Sequence, residues 1–185
     1  RVARPRVRTA TRFRPTTRIS IENNISLRNA EFAASDYRNT MRSNASTVSY
    51  TLNDKLALLG GFTYDSLLAT ASVSFLRGVA PLQTTWRDQT VNRVWQAGFD
   101  AKPVPNLTLQ LSGNYIRTTG AGEISGELPA FGPLRWPMVT GTIAYNFPKA
   151  GRLSLDLQRT YYIEEILRGD NFSANLLGIR WTKEF

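Results

Sequence analysis

Leu107-Thr108-Leu109-Gln110-Leu111-Ser112-Gly113-Asn114-Tyr115 decides the fold: leucine, glycine and tyrosine fill the odd positions and polar residues the even ones. Successive side chains of an extended strand point to opposite faces, so this stretch has one apolar face and one polar face. Arg152-Leu153-Ser154-Leu155-Asp156-Leu157-Gln158 repeats the pattern, as does Ile19-Ser20-Ile21-Glu22-Asn23-Asn24-Ile25-Ser26-Leu27-Arg28. Weaker copies run from Val48 to Leu52, Trp95 to Ala101 and Val139 to Phe147. No stretch of comparable length carries a helical period. Tyr161 to Arg168 reads either as one helical turn or as the top of a long strand. The spacing predicts an all-β chain.

The connections predict how the strands are arranged. Arg14 to Thr17, Leu52 to Lys55, Lys102 to Asn106 and Asn146 to Gly151 are short and turn-forming. Ala30 to Asn44, Arg77 to Thr90 and the Gly- and Pro-containing Arg117 to Pro137 are long, and Arg168 to Asn171 is a shorter fourth. Short turns at one end and long loops at the other are the pattern of a transmembrane antiparallel up-and-down β-barrel, with periplasmic turns and extracellular loops. A lipocalin-like soluble barrel shares it in part. The scheme makes Leu56 to Arg77 a single long strand. Its apolar phase slips, with Leu56, Leu58, Phe62 and Tyr64 even but Val73 and Phe75 odd, which predicts a β-bulge near Asp65-Ser66. The alternative is an extra hairpin there. Arg6 to Arg14 alternates too, giving roughly nine strand-like segments. Residues 1–17 read as a basic strand end with its turn and residues 18–185 as barrel strands. The chain opens on Arg1, neither a methionine nor a hydrophobic leader, so a processed chain or the C-terminal part of a larger barrel is expected. A complete eight-stranded barrel with a basic arm is the rival.

Composition narrows the function. The 185 residues include no cysteine and no histidine. Disulfides, thiol nucleophiles and zinc–thiolate sites are excluded within this chain, and so are Ser–His catalysis and His–metal sites. No cofactor and no enzymatic activity are expected. The net charge is +9, with Arg1, Arg4, Arg6, Arg8, Arg12, Arg14 and Arg18 forming a basic stretch and the rest dispersed. Dispersion points to solvated ends and to anionic lipid surfaces such as lipopolysaccharide rather than to nucleic acid. No run of apolar residues is long enough for a transmembrane helix.

Counting back from the end gives Phe185, Lys183, Trp181, Ile179 and Leu177. A terminal phenylalanine with apolar residues at alternate positions before it resembles the C-terminal strand signal of bacterial outer-membrane β-barrel proteins of the porin-like kind. The resemblance implies an outer-membrane location and recognition of Leu177, Ile179, Trp181 and Phe185 by the barrel-assembly machinery. Lys183 departs from the pattern, and its stem can snorkel to the interface. Phe13-Arg14-Pro15-Thr16-Thr17-Arg18-Ile19-Ser20 also resembles the turn-and-strand style of the barrel component of porin–cytochrome conduits. Aromatic belts are expected at Phe13, Phe99, Tyr145, Phe147, Trp181 and Phe185 on one side, and at Tyr115, Trp136, Tyr161 and Phe172 on the other.

The polar faces supply candidate lumen-lining residues: Glu22, Asn24, Arg28, Gln96, Asp100, Gln110, Asn114, Asp156, Gln158 and Arg180. Mixed amides and charges hydrate a pore and tune its ion preference. Glu164 and Glu165 read as solvated loop acids, and Leu128 to Pro137 as a stretch that folds inward. Three functions compete. They are a channel for small hydrophilic solutes, a scaffold sheathing a partner protein such as an electron-transfer cytochrome, and a soluble basic β-protein binding an anionic polymer. Further strands of the same barrel are a possible partner in the first two.

Overall fold

The computed structural model describes residues 2–3, 6–32, 36–78, 80–124, 133–165 and 168–183. Its strands are β1 (Val2–Ala3), β2 (Arg6–Thr16), β3 (Ile19–Phe32), β4 (Tyr37–Asn53), β5 (Leu56–Arg77), β6 (Ala80–Val104), β7 (Leu107–Ile124), β8 (Leu134–Phe147), β9 (Gly151–Glu164) and β10 (Phe172–Thr182). A single 3₁₀ turn, Arg168–Asp170, precedes β10. All ten strands belong to one antiparallel sheet in which each strand from β3 to β10 pairs with the next. β1 and β2 lie along the same edge of β3, against its upper and lower parts. The sheet is not closed, for the β1–β2 edge and β10 do not pair with each other.

One hydrogen-bonding row crosses the whole sheet: Phe13, Ile21, Val48, Gly60, Ala97, Gly113, Val139, Arg159 and Asn175. Measured from it, the strands that leave the tight turns begin progressively lower. Ile19 is two residues before Ile21 (21 − 19), Leu56 four before Gly60, Leu107 six before Gly113 and Gly151 eight before Arg159. The stagger is therefore one residue per strand. With a rise of ~3.3 Å per residue and a strand spacing of ~4.8 Å, a line through the four turns makes the strands lean by about 35°, close to the inclination of strands in closed barrels. The turns are clasped in the same rhythm. The Thr51 N–H donates to the Arg18 carbonyl at 2.8 Å, Lys102 to Lys55 at 2.7 Å and Asn146 to Asn106 at 2.8 Å. Thr16 Oγ1 accepts from the N–H groups of Arg18 and Ile19, and Asn53 Oδ1 from that of Lys55 at 2.8 Å, so the turn residues close their own backbone. Gly151 has φ 114°. A Cβ there would overlap the Thr182 carbonyl, so only glycine lets β10 lie this close.

Two expectations are corrected. The pairing of β5 runs unbroken through Asp65 and Ser66 on both sides, and no bulge exists there. The register shifts fall instead at Phe13/Thr16, Thr51/Asn53 and Ala101/Val104, where three strands bend into tight turns. The long loops are also mostly strand. β3 reaches Phe32 and β4 begins at Tyr37, β5 and β6 are separated by two residues, and β7 continues to Ile124. Backbone pairing does not require apolar side chains, and the Thr, Ser and Arg of these segments sit well on a pleated surface. The stretch from Leu128 to Pro137 falls partly outside the described residues, and β8 begins within it.

The phase slip in β5 has another cause. Call the face carrying Leu107, Leu109 and Leu111 the first, and that carrying Thr108 and Gln110 the second. Paired residues share a face. Toward the turns the first face is apolar and the second polar; toward the far hairpins this reverses. Leu67, Ala69, Val73, Val94, Ile116 and Trp136 occupy the second face there, while Thr40, Ser66, Thr70, Arg93 and Arg117 occupy the first. The chain alternates without interruption, and what changes is which face carries the apolar side chains. A T40C/L68C variant tests the register, since the chain has no cysteine of its own. Thr40 and Leu68 are directly opposite, a separation that a disulfide spans. Oxidation should cross-link T40C/L68C and not T40C/A69C; the opposite result would restore an extra residue at Asp65-Ser66.

Candidate functional site

The ten candidate lumen residues all fall on the second face. Glu22 leads along one row through Thr47 and Gly61 to Gln96 and Asn114, and Asp100 through Gln110 and Thr142 to Asp156. Asn24 lies between Ala10 and Ala45, Arg28 between Arg6 and Met41, Gln158 beside Thr140, and Arg180 beside Ser154. Gln96 pairs directly with Asn114 and Asp100 with Gln110, but the ten do not converge on one point. Seven of them line two shallow basins, and Asn24, Arg28 and Gln158 line neither. One is lined by Glu22, Gln96, Asp100, Gln110 and Asn114, the other by Gln110, Thr142, Asp156 and Arg180. Two of the acids of these basins, Glu22 and Asp156, have cationic neighbours. Arg12 pairs with Glu22 at 2.5 Å. Asp156 accepts from the Thr142 hydroxyl at 2.7 Å and lies 3.8 Å from the Arg180 guanidinium. No cluster of metal-ligating side chains occurs among the described residues. The arrangement can hydrate the surface and hold fixed charge against it, but it shows no nucleophile with a base.

The first face near the turns is an apolar band. It carries Ile21, Ile25, Val48, Leu58, Phe62, Trp95, Leu111, Tyr115, Val139, Ile143, Leu157, Leu177 and Ile179, all substantially exposed. Phe62, Trp95 and Tyr115 stack across three strands with ring centroids 5.5 Å apart at each step. Tyr145, Phe147 and Trp181 form a second aromatic group beside the last tight turn, at 4.7 and 5.7 Å. One polar island interrupts the band. Asn23 donates to Asn44 Oδ1 and to Ser46 Oγ, each at 2.7 Å, so the amide is satisfied within the face. Leu177, Ile179 and Trp181 lie on this face of the free edge strand β10. Phe185 lies outside the described residues.

The structure moves several residues from their expected places. Trp136 and Phe172 do not share a face with Tyr115 and Tyr161. They pack with Tyr162 on the second face, Trp136 at 6.0 Å edge-on and Phe172 at 5.4 Å stacked. Glu164 is buried, 6% exposed, with its backbone N–H bonded to Asn171 Oδ1 at 2.5 Å and its carboxylate accepting from the Tyr162 hydroxyl at 3.3 Å. Only Glu165 is a surface acid, paired with Arg135 at 2.7 Å. Closeness to a loop does not fix which face an aromatic takes; the register between β8, β9 and β10 does.

No protein-family model matches this chain, and no curated protein and no solved structure is found to be similar to it.

The Trp136 Nε1–H donates to Thr160 Oγ1 at 2.5 Å, and Thr160 is 6% exposed. Trp136→Phe should cost about 1–2 kcal/mol by stranding a buried hydroxyl. The double variant W136F/T160V should recover most of that loss. Urea unfolding of the folded protein measures both, and equal stability of all three proteins would refute the bond.

Proposed function

We propose that this chain forms wall of a bacterial outer-membrane β-barrel, with its first face toward lipid and its second toward a hydrated lumen, acting as a porin-like channel for small hydrophilic solutes. The observation that carries this reading is the uncovered apolar band. The hydrophobic residues fully buried among the described ones are three alanines, Ala30, Ala69 and Ala144, whereas Leu177 and Ile179 are 67% and 73% exposed. A protein that kept this face in water would forgo most of its hydrophobic stabilisation. The band has the height a bilayer needs. On β7 it runs from Leu107 to Tyr115, eight steps. At ~3.3 Å per step and a lean of about 35° this is roughly 22 Å, against a lipid-facing band of about 25 Å in spanning barrels. In this setting the ladder leaves no backbone group unpaired in hydrocarbon except at the open edges, which further strands would close. The free edge of β10, with Leu177, Ile179 and Trp181, is what an assembly machinery would read.

One observation favours a second reading, a barrel sheathing a partner such as an electron-transfer cytochrome. The far part of the second face carries an aromatic cluster, Trp136, Tyr162 and Phe172 packed together, which suits a protein surface better than bulk water. Any redox group would then belong to the partner. A soluble basic protein binding an anionic polymer is disfavoured by the same uncovered band.

Leu111→Arg and Gln110→Arg separate these readings, being neighbours on opposite faces. In vesicles of the full chain, Leu111→Arg should lower stability by about 2–4 kcal/mol and Gln110→Arg by under about 1 kcal/mol. The reverse order would sink the membrane assignment. Planar-bilayer recordings then test the channel. Discrete conductance steps are expected. A protein that folds in vesicles but never conducts, and copurifies with a haem protein, would replace the channel with the scaffold.

A further inference from the structure

Most of the strand acids share one face. The acids Glu22, Asp65, Asp88, Asp100, Asp156 and Glu164 all have their register on the second face. On the first face, moving up from the tight turns, the first charged residue is an arginine on five of six consecutive strands. These are Arg42 on β4, Arg93 on β6, Arg117 on β7, Arg135 on β8 and Arg159 on β9. Between them β5 carries Ser66 at the position opposite Arg42. The five stand 11, 11, 10, 12 and 8 residues from the tight-turn ends of their strands (53 − 42, 104 − 93, 117 − 107, 147 − 135, 159 − 151). With the lean of the strands, these offsets put them in one belt about 10 Å deep, roughly 22–32 Å above the turns. That is where the apolar band stops.

Three of the five are stacked against one another. Arg93 is directly opposite Arg117, and Arg117 directly opposite Arg135, on three neighbouring strands. Like charges at this spacing repel and weaken a sheet. The outer two have partial relief. Arg93 donates to Thr119 Oγ1 at 3.2 Å and lies 5.9 Å from the Tyr64 ring, and Arg135 pairs with Glu165 at 2.7 Å. Arg117, in the middle, has no anionic partner among the described residues. The described strand acid that shares this face, Glu31, stands higher, opposite Arg38 and paired with it. A row of cations held together at the edge of an apolar band, with the charge of its central member unanswered, is complementary to a layer of anions at the same height. All five are arginine rather than lysine, and the planar guanidinium takes phosphate oxygens in pairs.

We infer that Arg93, Arg117 and Arg135, flanked in the same belt by Arg42 and Arg159, bind the phosphate groups of lipid headgroups at the far edge of the apolar band. The inference rests on the membrane-wall reading above and names the partner of that surface. Bound phosphate would neutralise the repulsion within the row and fix how deep the wall sits in the bilayer.

The test uses the full chain folded into phosphatidylcholine vesicles, with spin-labelled phosphatidic acid or spin-labelled phosphatidylcholine as reporter. The native protein should immobilise phosphatidic acid in preference. Arg117→Gln should reduce that preference by about fivefold, as expected for one cation at a lipid surface. R93Q/R117Q/R135Q should abolish it, while R93K/R117K/R135K should keep part. Unchanged selectivity in the triple glutamine variant would overturn the proposal, as would selectivity erased equally by inorganic phosphate, which would mean a general anion site. Insertion into plain phosphatidylcholine separates the two layers of inference. A native chain that inserts but shows no headgroup preference removes the arginine site alone, whereas failure to insert removes the membrane wall and the site with it.

Discussion

The strands that leave the tight turns, β3, β5, β7 and β9, are each offset by two residues from the one before, one residue per strand, and the rest of the structure is built on that offset. The backbone ladder sets it and the tight turns maintain it, three of the four being held by a hydrogen bond from the strand descending beside it: Thr51 to Arg18, Lys102 to Lys55 and Asn146 to Asn106. Because the offset is constant, features at the same distance from the turns on different strands line up. The apolar band, the aromatic group at Tyr145, Phe147 and Trp181, and the arginine row are each contributed by residues far apart in sequence. A slip of one residue anywhere would turn a strand's side chains to the wrong face.

The ladder also explains why the sheet extends past its apolar band. Main-chain hydrogen bonds are made equally well by Thr84 and by Leu109, so β5 and β6 stay paired over 22 residues of β5 even after the polarity of their faces has reversed. The reversal divides the sheet into two zones. Near the turns, the second face carries two charge pairs among the described residues, Arg12 with Glu22 and Arg180 with Asp156. Exposed pairs of this kind contribute at most about 1 kcal/mol each, so their role is to keep fixed charges in place rather than to hold the sheet. Near the hairpins, Trp136, Tyr162 and Phe172 gather on the same face, and Thr160 and Glu164 are buried beneath them. Side-chain burial within the chain is otherwise slight. On the proposed reading, lipid provides outside the sheet the apolar contact that a globular protein builds inside it.

Asn23 shows how the band tolerates an exception. Its amide would be costly on a lipid-facing surface if left alone. Asn44 and Ser46 on the adjacent strand satisfy it, so three polar groups are tolerated together where one would not be. Arg117 is the opposite case, a polar group that its neighbours leave unanswered, and for that reason it points to something outside the chain.

The sequence by itself determined what depends on local alternation and on turn chemistry. The stretch from Leu107 to Tyr115 specifies a strand with two unlike faces because side chains alternate every residue. Thr16 and Asn53 specify tight turns because their side chains bond the backbone two residues on. The ten polar candidates from Glu22 to Arg180 could be sorted onto one face by parity alone. What only the tertiary structure decided is pairing between distant strands and its consequences. Nothing local distinguishes a bulge at Asp65-Ser66 from a reversal of polarity, since both shift the apolar phase; the unbroken pairing to β4 and β6 does. Trp136 and Phe172 could not be placed until the register fixed which side they share with Tyr162. Arg93, Arg117 and Arg135 are 24 and 18 residues apart in the chain (117 − 93, 135 − 117), and they become neighbours because three strands align at that level. Alternation is a property of one strand, whereas register belongs to the hydrogen bonds between strands, and one strand's residues cannot encode it alone.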